Sequence, residues 1–320
     1  MDKMKFGADM SALVEYVNQL GNAEIIKAIA GSAPSIQYFA QQLGVNEKTD
    51  LHLMSTSVSF KDGRNCSFSD GNSFEFSDRQ LDPAFLKTED AICANEMLGK
   101  WLGYNERVTA SGAELPFEEA FVSEYVRAAG DELEKIIWEG VTIGTKAYPG
   151  FAGIIHSEGK AVMCAHDADE YEMILALIKA LPSKSMKKTE IFVSEPFMLG
   201  LKEALLKRDF RLIDLQFSNG TEVDENTIKM PVFGTLVHAC SGLNGNYTVH
   251  EAYALVPEHA VYGTSVDGAH TDVKLVYDEV NDRFIMRIKL TEAVQVAYPA
   301  ETAYAYLGAA PEEANPSESH

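Results

Sequence analysis

Cys164 and His166 are the residues of this chain whose types could support nucleophilic chemistry, because an imidazole beside a thiol can activate it as a thiolate. Residues two positions apart on a helix do not face each other, so this spacing does not bring the two groups together. Asp167 follows them, and we predict that it caps a helix from Ala168 to Leu181. We interpret the stretch as structural and keep an α/β enzyme centred on Cys164 and His166 as an alternative.

No other pattern predicts a catalytic, metal or cofactor site. The remaining histidines and cysteines stand singly, without the spacing of metal ligands. The glycines form neither a Walker A loop nor a GxGxxG turn, so no phosphate cradle is predicted. Two acidic groups, Glu118–Glu119 and Asp131–Glu132 with Glu134, are expected on the polar face of a long helix, where nothing would raise the pKa of their carboxyl groups. We therefore predict no catalytic residue, no metal and no cofactor.

The composition is that of a folded protein with a strongly acidic surface. The chain has 320 residues, of which 46 % are hydrophobic, and its 27 Lys and Arg against 48 Asp and Glu give a net charge of −21. Such a surface repels the phosphate backbone of nucleic acids, so sequence-independent nucleic-acid binding through a basic face is not expected. Four single cysteines indicate free thiols in a reducing compartment. No apolar run is long enough for a membrane helix, and residues 1–10 do not form a signal peptide.

The first third of the chain alternates between short helices and an extended β-region. Helical spacing predicts a helix over residues 11–29, with a break near Gly21–Asn22, and another over 36–43. Residues 51–60 and 67–76 alternate as strands around Asp-Gly turns and predict a long hairpin. The hairpin has too few large apolar residues for a core of its own, so we expect another subunit to stabilise it.

The remainder predicts a long helix followed by an α/β lobe and a β-meander. A helix is predicted over 89–102, and a longer one over 116–139 ends at Gly140. At 1.5 Å per residue the longer helix would extend about 35 Å. Residues 150–155 read as an apolar turn or strand. Further strands and helices are predicted, in chain order, over 189–193 (strand), 195–207 (helix capped by Ser194), and 211–217, 235–240, 252–256, 272–277, 284–290 and 294–297 (strands).

This order of elements, together with several short motifs, resembles the major capsid proteins of tailed bacteriophages, which have the Hong Kong 97 fold. Among these it is most similar to the capsid proteins of phages that infect gut Bacteroidetes. Val141 and Ala152 stand where those proteins usually have Asp. The segments that carry the resemblance are 89–98 before Trp101–Leu102, 115–119 leading to 134–140, 151–155, 191–194, 262–265, 273–277, 283–289 and 294–299.

The resemblance implies an α+β fold with an N-arm, an extended β-hairpin loop, a peripheral domain with a long spine helix, and an axial domain. The implied segments are the N-terminal arm (1–50), the extended loop (51–88), the peripheral domain (89–148, with the spine helix at 116–139), the axial domain (149–262), returning peripheral strands and the end of the axial domain (263–307), and a disordered tail (308–320).

The implied function is structural. The protein would assemble into hexamers and pentamers that form an icosahedral shell around double-stranded DNA, without sequence-specific DNA binding. The implied partners are a scaffolding protein, a portal and possible head-decoration proteins; the shell would assemble in the bacterial host cytoplasm, with no membrane involved. We expect either a separate scaffold or a leader already removed, and Lys61 gives no support for a covalent crosslink. An encapsulin-like cellular compartment is the alternative within the same fold.

Contacts between subunits are expected at the hairpin and along the polar face of the spine helix. The residues assigned to these contacts are Phe60, Lys61, Arg64, Phe68, Phe74, Phe76, Glu118, Glu119 and Arg127.

Overall fold

The computed structural model describes residues 22–59, 73–93, 117–208, 217–218, 221–222, 226–230, 234–245, 248–265, 272–278, 280–281 and 283–308. Within these ranges the α-helices are α1 (Asn22–Ser32), α2 (Phe117–Glu139), α3 (Phe151–Glu158), α4 (Glu170–Ala180) and α5 (Glu195–Lys207). The strands are β1 (Ala40–Leu43), β2 (Thr49–Ser57), β3 (Ser73–Leu81), β4 (Ala84–Cys93), β5 (Gly140–Ile143), β6 (Lys146–Pro149), β7 (Lys160–Cys164), β8 (Glu190–Val193), β9 (Phe217–Ser218), β10 (Thr221–Glu222), β11 (Thr227–Lys229), β12 (Leu236–Ala239), β13 (Ala252–Leu255), β14 (Ala260–Ser265), β15 (Asp272–Asp278), β16 (Arg283–Val296) and β17 (Ala303–Leu307). Short 3₁₀ turns lie at Pro34–Tyr38, Ser241–Leu243, Pro257–His259 and Pro299–Glu301.

The first sheet is built around the long strand β16. One edge of β16 pairs with β4 along ten positions, and the other edge pairs first with β15 and then with β14. The short strand β1 adds in parallel to β14. Helix α2 packs on one face of this sheet through a buried apolar stripe that includes Val126, Leu133 and Ile137. The sheet therefore joins strands from three distant parts of the chain under one long helix.

The second sheet has six strands in the order β11–β12–β8–β13–β17–β7. Helices α4 and α5 cover one face through Ile174, Leu177 and Leu201, all fully buried. The other face joins the core under α2 and α3, where Trp138 packs near Phe192 with ring centroids 5.3 Å apart. One of the two large cores thus lies between the sheets, and the other lies between the second sheet and α4 and α5.

Several predicted elements are confirmed, because strong local signals mark their ends. The long helix spans Phe117–Glu139 and stops at Gly140, whose φ of +82° favours glycine. A Cβ at Gly140 would lie 2.3 Å from the backbone carbonyl oxygen of Tyr148, so a side chain has no room there. Ser194 caps α5, accepting a hydrogen bond from the Phe197 amide at 3.1 Å.

Other predicted elements are wrong in type. Residues 36–43 form the end of a 3₁₀ turn and strand β1 instead of a helix, and residues 151–158 form helix α3 instead of a turn or strand. Residues 89–93 belong to β4 instead of a helix, because pairing with β16 overrides their helical spacing. The strands predicted over 284–290 and 294–297 are correct in type, but they form one continuous strand, β16.

The cap of α4 and the location of one acid also differ from the prediction. Asp169, not Asp167, caps α4, accepting a hydrogen bond from the Glu172 amide at 2.9 Å. Glu134 was expected on the polar face of the long helix, but it is fully buried. The predicted helices over 11–21 and 94–102, the hairpin tip, the strand over 211–216 and the tail lie outside the described residues. Among the described helices, none combines the length and the hydrophobicity needed to cross a membrane.

Candidate assembly surfaces

The hairpin of β2 and β3 carries an exposed apolar face. Nine cross-strand pairs run from Thr49 opposite Leu81 to Ser57 opposite Ser73. Met54 and Phe76 lie directly opposite each other and are 58 % and 77 % exposed. The pair His52 and Asp78 lies next to them on the same face, with Nδ1 and Oδ1 2.7 Å apart. Large apolar side chains exposed on a projecting ribbon are typical of a surface that another chain covers.

The inner end of the hairpin is anchored in the body of the protein. Leu81 is fully buried and packs with Val45 and Ala293, and Leu51 and Val261 pack against this small cluster. Because side chains alternate along a strand, these inward residues leave Met54 and Phe76 on the opposite face. The hairpin thus has a buried inner face at its base and an exposed apolar face further out.

An apolar cleft of about 510 Å³ lies between α2, β4 and the β5–β6 hairpin. Its walls include Tyr125, Leu133 and Leu290, and the exposed side chains of Phe85 and Ile143 also line it. In the described part of the chain, β4 pairs only with β16, so its other edge is open beside this cleft. The cleft is a second surface where another chain could bury apolar area.

The assigned contact residues differ in what the structure shows of them. Phe60, Lys61, Arg64 and Phe68 lie outside the described residues, whereas Phe76 is on the exposed hairpin face. Phe74 lies two residues before Phe76 in β3, and Glu118 and Glu119 lie in the first turn of α2.

Arg127 makes its ion pairs within its own helix. Its guanidinium contacts Glu124 at 2.6 Å and Asp131 at 2.7 Å, and all three side chains are largely exposed. Exposed pairs of this kind contribute little to stability. The helix face around Arg127 therefore remains accessible to solvent in the isolated subunit.

Glu134 is the centre of a buried hydrogen-bond network that the sequence did not reveal. Its carboxyl group accepts hydrogen bonds from the Ser35 amide at 3.0 Å, from the Ser35 hydroxyl, and from the Gly242 backbone amide. Trp138 in turn donates from Nε1 to the Ser35 hydroxyl at 2.8 Å. Burial raises the pKa of Glu134, although these hydrogen bonds oppose the shift. The network joins the long helix to two distant 3₁₀ turns.

Replacing Glu134 with alanine should lower the free energy of unfolding by about 3–9 kcal/mol, because three buried donors lose their acceptor at about 1–3 kcal/mol each. Glu132→Ala is the control, since Glu132 is exposed on the same helix and should change stability by less than about 0.5 kcal/mol. Urea denaturation of the two variants measures the difference. A Glu134→Ala variant as stable as Glu132→Ala would contradict the role assigned to the network.

The geometry around Cys164 does not favour a nucleophile. Cys164 is buried at the end of β7, and burial raises the pKa of its thiol, which disfavours the thiolate. His166 is exposed in the turn that follows. No hydrogen bond between the Cys164 thiol and the His166 ring is present in the described structure.

A buried histidine cluster lies in the second sheet. His238 has Nδ1 3.0 Å from the Thr227 hydroxyl and Nε2 2.8 Å from a Glu190 carboxylate oxygen. Its partners are distant in the chain, so their spacing gave no signal. His238 is only 4 % exposed and Thr227 is buried as well. A substrate has no access to this hydroxyl, so the cluster serves to join β8, β11 and β12.

Comparisons with known proteins identify the fold. No family model matches the chain, and no curated protein is similar to it in sequence. A solved structure from Mycobacterium phage Adephagia is 12 % identical, with a TM-score of 0.56 over 87 % of this chain and 91 % of that one. The capsid of a native GTA particle is 10 % identical, with a TM-score of 0.55 over 87 % of this chain and 91 % of that one.

A third solved structure is similar to this chain to the same degree. The procapsid of satellite phage P4, whose structure includes a size determination protein, is 7 % identical, with a TM-score of 0.57 over 89 % of this chain and 90 % of that one. At these identities the likeness concerns the fold alone. The chain has the α+β, Hong Kong 97-type capsid fold over most of its length.

Proposed function

We propose that this chain is a major capsid protein, a structural protein that assembles with copies of itself into an icosahedral shell. The observation that carries the proposal is the exposed Met54–Phe76 face on a projecting hairpin, in a chain that shares its fold with phage and GTA capsids. An isolated subunit gains nothing from exposing these side chains. A shell of repeated subunits would bury them at every contact between neighbours.

We further propose that the subunits form hexamers and pentamers around double-stranded phage DNA. The net charge of −21 supports a lining that does not adhere to the packaged genome. A scaffolding protein, a portal and head-decoration proteins are the proposed partners, and the bacterial cytoplasm is the proposed site of assembly. The proposed relation to phages of gut Bacteroidetes rests on the sequence motifs.

The proposed domains correspond to the two sheets. The peripheral domain would comprise α2 and the first sheet, and the axial domain the second sheet with α4 and α5. The extended loop, expected over 51–88, would on this proposal end near Leu81, because β4 pairs with β16 in the first sheet. Strand β17, which pairs with β13 and β7, would belong to the axial domain.

The contents of the particles test the proposal. Particles isolated from the native source should contain double-stranded DNA that becomes sensitive to nuclease only after the shell is opened. Encapsulated protein without DNA would contradict the phage capsid and favour the encapsulin-like compartment.

Cys164→Ala should leave assembly unchanged, whereas loss of a catalytic activity in that variant would favour an enzyme.

A further inference from the structure

Arg79 connects the inner part of the hairpin to two separate elements of the body. Its guanidinium donates to both carboxylate oxygens of Glu158, at 2.9 and 2.8 Å, at the end of α3. It also donates to the Gln295 side-chain oxygen at 3.0 Å in β16. Gln295 completes the set by donating to the backbone oxygen of Gln80 at 2.8 Å. We call Arg79, Glu158 and Gln295 the root clamp.

The geometry of the clamp is suited to fixing an orientation. A bidentate Arg–carboxylate pair restrains both the distance and the relative orientation of the two side chains, which a single charge contact does not. Arg79 is 21 % exposed, so solvent screens this pair less than the pairs on the open surface. The hydrogen bond from Arg79 lowers the pKa of Glu158, which keeps the pair charged at neutral pH.

The clamp links the hairpin directly to the first sheet and, through α3, to the second sheet. Gln295 belongs to the first sheet, whereas Glu158 ends α3. In the same turn of α3, His156 has its Nε2 2.7 Å from a carboxylate oxygen of Glu251, just before β13 of the second sheet. Helix α3 thus connects the hairpin on one side and the second sheet on the other.

A small rotation at the root would displace the hairpin progressively more toward its outer end. Ser73 lies six residues from Arg79 along β3, a distance of roughly 20 Å at about 3.3 Å per residue. A rotation of about 10° at the clamp would therefore move that end of the strand by roughly 3–4 Å. A shift of this size is comparable to the width of a side-chain contact.

We propose that Arg79 is a positioning residue: through Glu158 and Gln295 it sets the angle at which the hairpin leaves the body, and so fixes the curvature at which subunits join. The inference rests on the proposed capsid function. This role does not require Arg79 to contact the neighbouring subunit. It determines where Met54 and Phe76 are presented, so its loss changes the form of the assembly and leaves the subunit folded.

The first test measures the hairpin angle in the unassembled subunit. Spin labels are attached at Thr56→Cys and Leu206→Cys in a variant from which the four native cysteines have been removed. Pulsed electron paramagnetic resonance then measures the distance from the hairpin to α5. Arg79→Ala should make the distance distribution about twofold broader. The charge swap Arg79→Glu with Glu158→Arg should restore most of the original width. Arg127→Ala is the matched control, because both ion pairs of Arg127 lie within α2 and neither label is on that helix.

The second test compares the assembled products by electron microscopy. Arg79→Ala should give particles of mixed size or open sheets, and the charge swap should return them toward the uniform wild-type product. A narrow distance distribution in Arg79→Ala, or uniform wild-type shells from that variant, would overturn the proposal. Failure of the wild-type chain to assemble would count against the capsid function itself, while the distance measurement would still decide whether Arg79 holds the hairpin.

Discussion

Replacing Phe76 with aspartate should prevent assembly at concentrations where the wild type assembles, while leaving the fold of the subunit intact. Phe76 is 77 % exposed and pairs across the hairpin with Met54, so its side chain contributes little to the core. In an assembled shell, burying each such side chain would stabilise a contact by about 1.5–3 kcal/mol. A carboxylate at the same place would remain unpaired in a buried contact, at a further cost of several kcal/mol.

The measurement is the subunit concentration at which assembly begins, determined by light scattering. Phe76→Asp should raise this concentration by at least about 100-fold, which corresponds to about 2.7 kcal/mol per subunit. Its midpoint of urea denaturation should match that of the wild type. Leu199→Asp is the control, because Leu199 is 67 % exposed on α5, away from the hairpin. Unchanged assembly of Phe76→Asp would show that the hairpin face is not a contact between subunits.

Glu292 should make the protein less stable as the pH rises from about 5 to 8. This residue lies in β16, opposite Ala84 on one side and Thr264 on the other, and is only 3 % exposed. Its Oε1 atom has no hydrogen-bond partner among the described residues. Burial raises the pKa of Glu292 to about 8 from an ordinary value of 4.5.

The direction of the effect follows from proton linkage. Because the folded pKa lies above the unfolded one, the stabilising contribution is complete below about pH 4.5 and is lost as the pH rises through about 8. The slope between these values is about 1.4 kcal/mol per pH unit, and the total loss is about 5 kcal/mol. Above pH 8 the contribution of this group levels off.

Glu292→Gln tests this slope, because glutamine has a similar shape and does not titrate. The unpaired amide shifts the stability of the variant by a constant amount, so the informative quantity is the difference in slope between the wild type and the variant. Denaturation at several pH values from 5 to 9 should show that difference. Glu203→Gln is the control, since Glu203 is exposed and its hydrogen bond to Lys207 lowers its pKa. Parallel curves for wild type and Glu292→Gln would refute the prediction.

Much of the fold could be predicted because local signals mark the ends of its elements. Gly140 ends the long helix and Ser194 begins α5, and both roles depend on residues next to them in the chain. Residues 89–93 show the opposite case, since their partners in β16 are almost two hundred residues away. No local pattern reports such pairing, and it outweighs helical spacing.

The buried acid and the root clamp could not be predicted for the same reason. Glu134 follows Leu133 on the edge of an apolar stripe, and its burial depends on Ser35 and Gly242, which approach α2 from outside that stripe. Arg79 finds Glu158 and Gln295 only in the folded chain. The exposed hairpin face could be predicted from the sequence, because the alternating strand pattern and the lack of a local core already indicated a contact surface.

Light scattering of the purified chain, with electron microscopy of the largest species, is the direct test of assembly into a shell. We expect capsomers, closed shells or tubes at concentrations where Phe76→Asp stays a single subunit. A wild-type chain that remains a monomer of 35.2 kDa at every concentration, even with a scaffolding protein from the same genome, would contradict the capsid function.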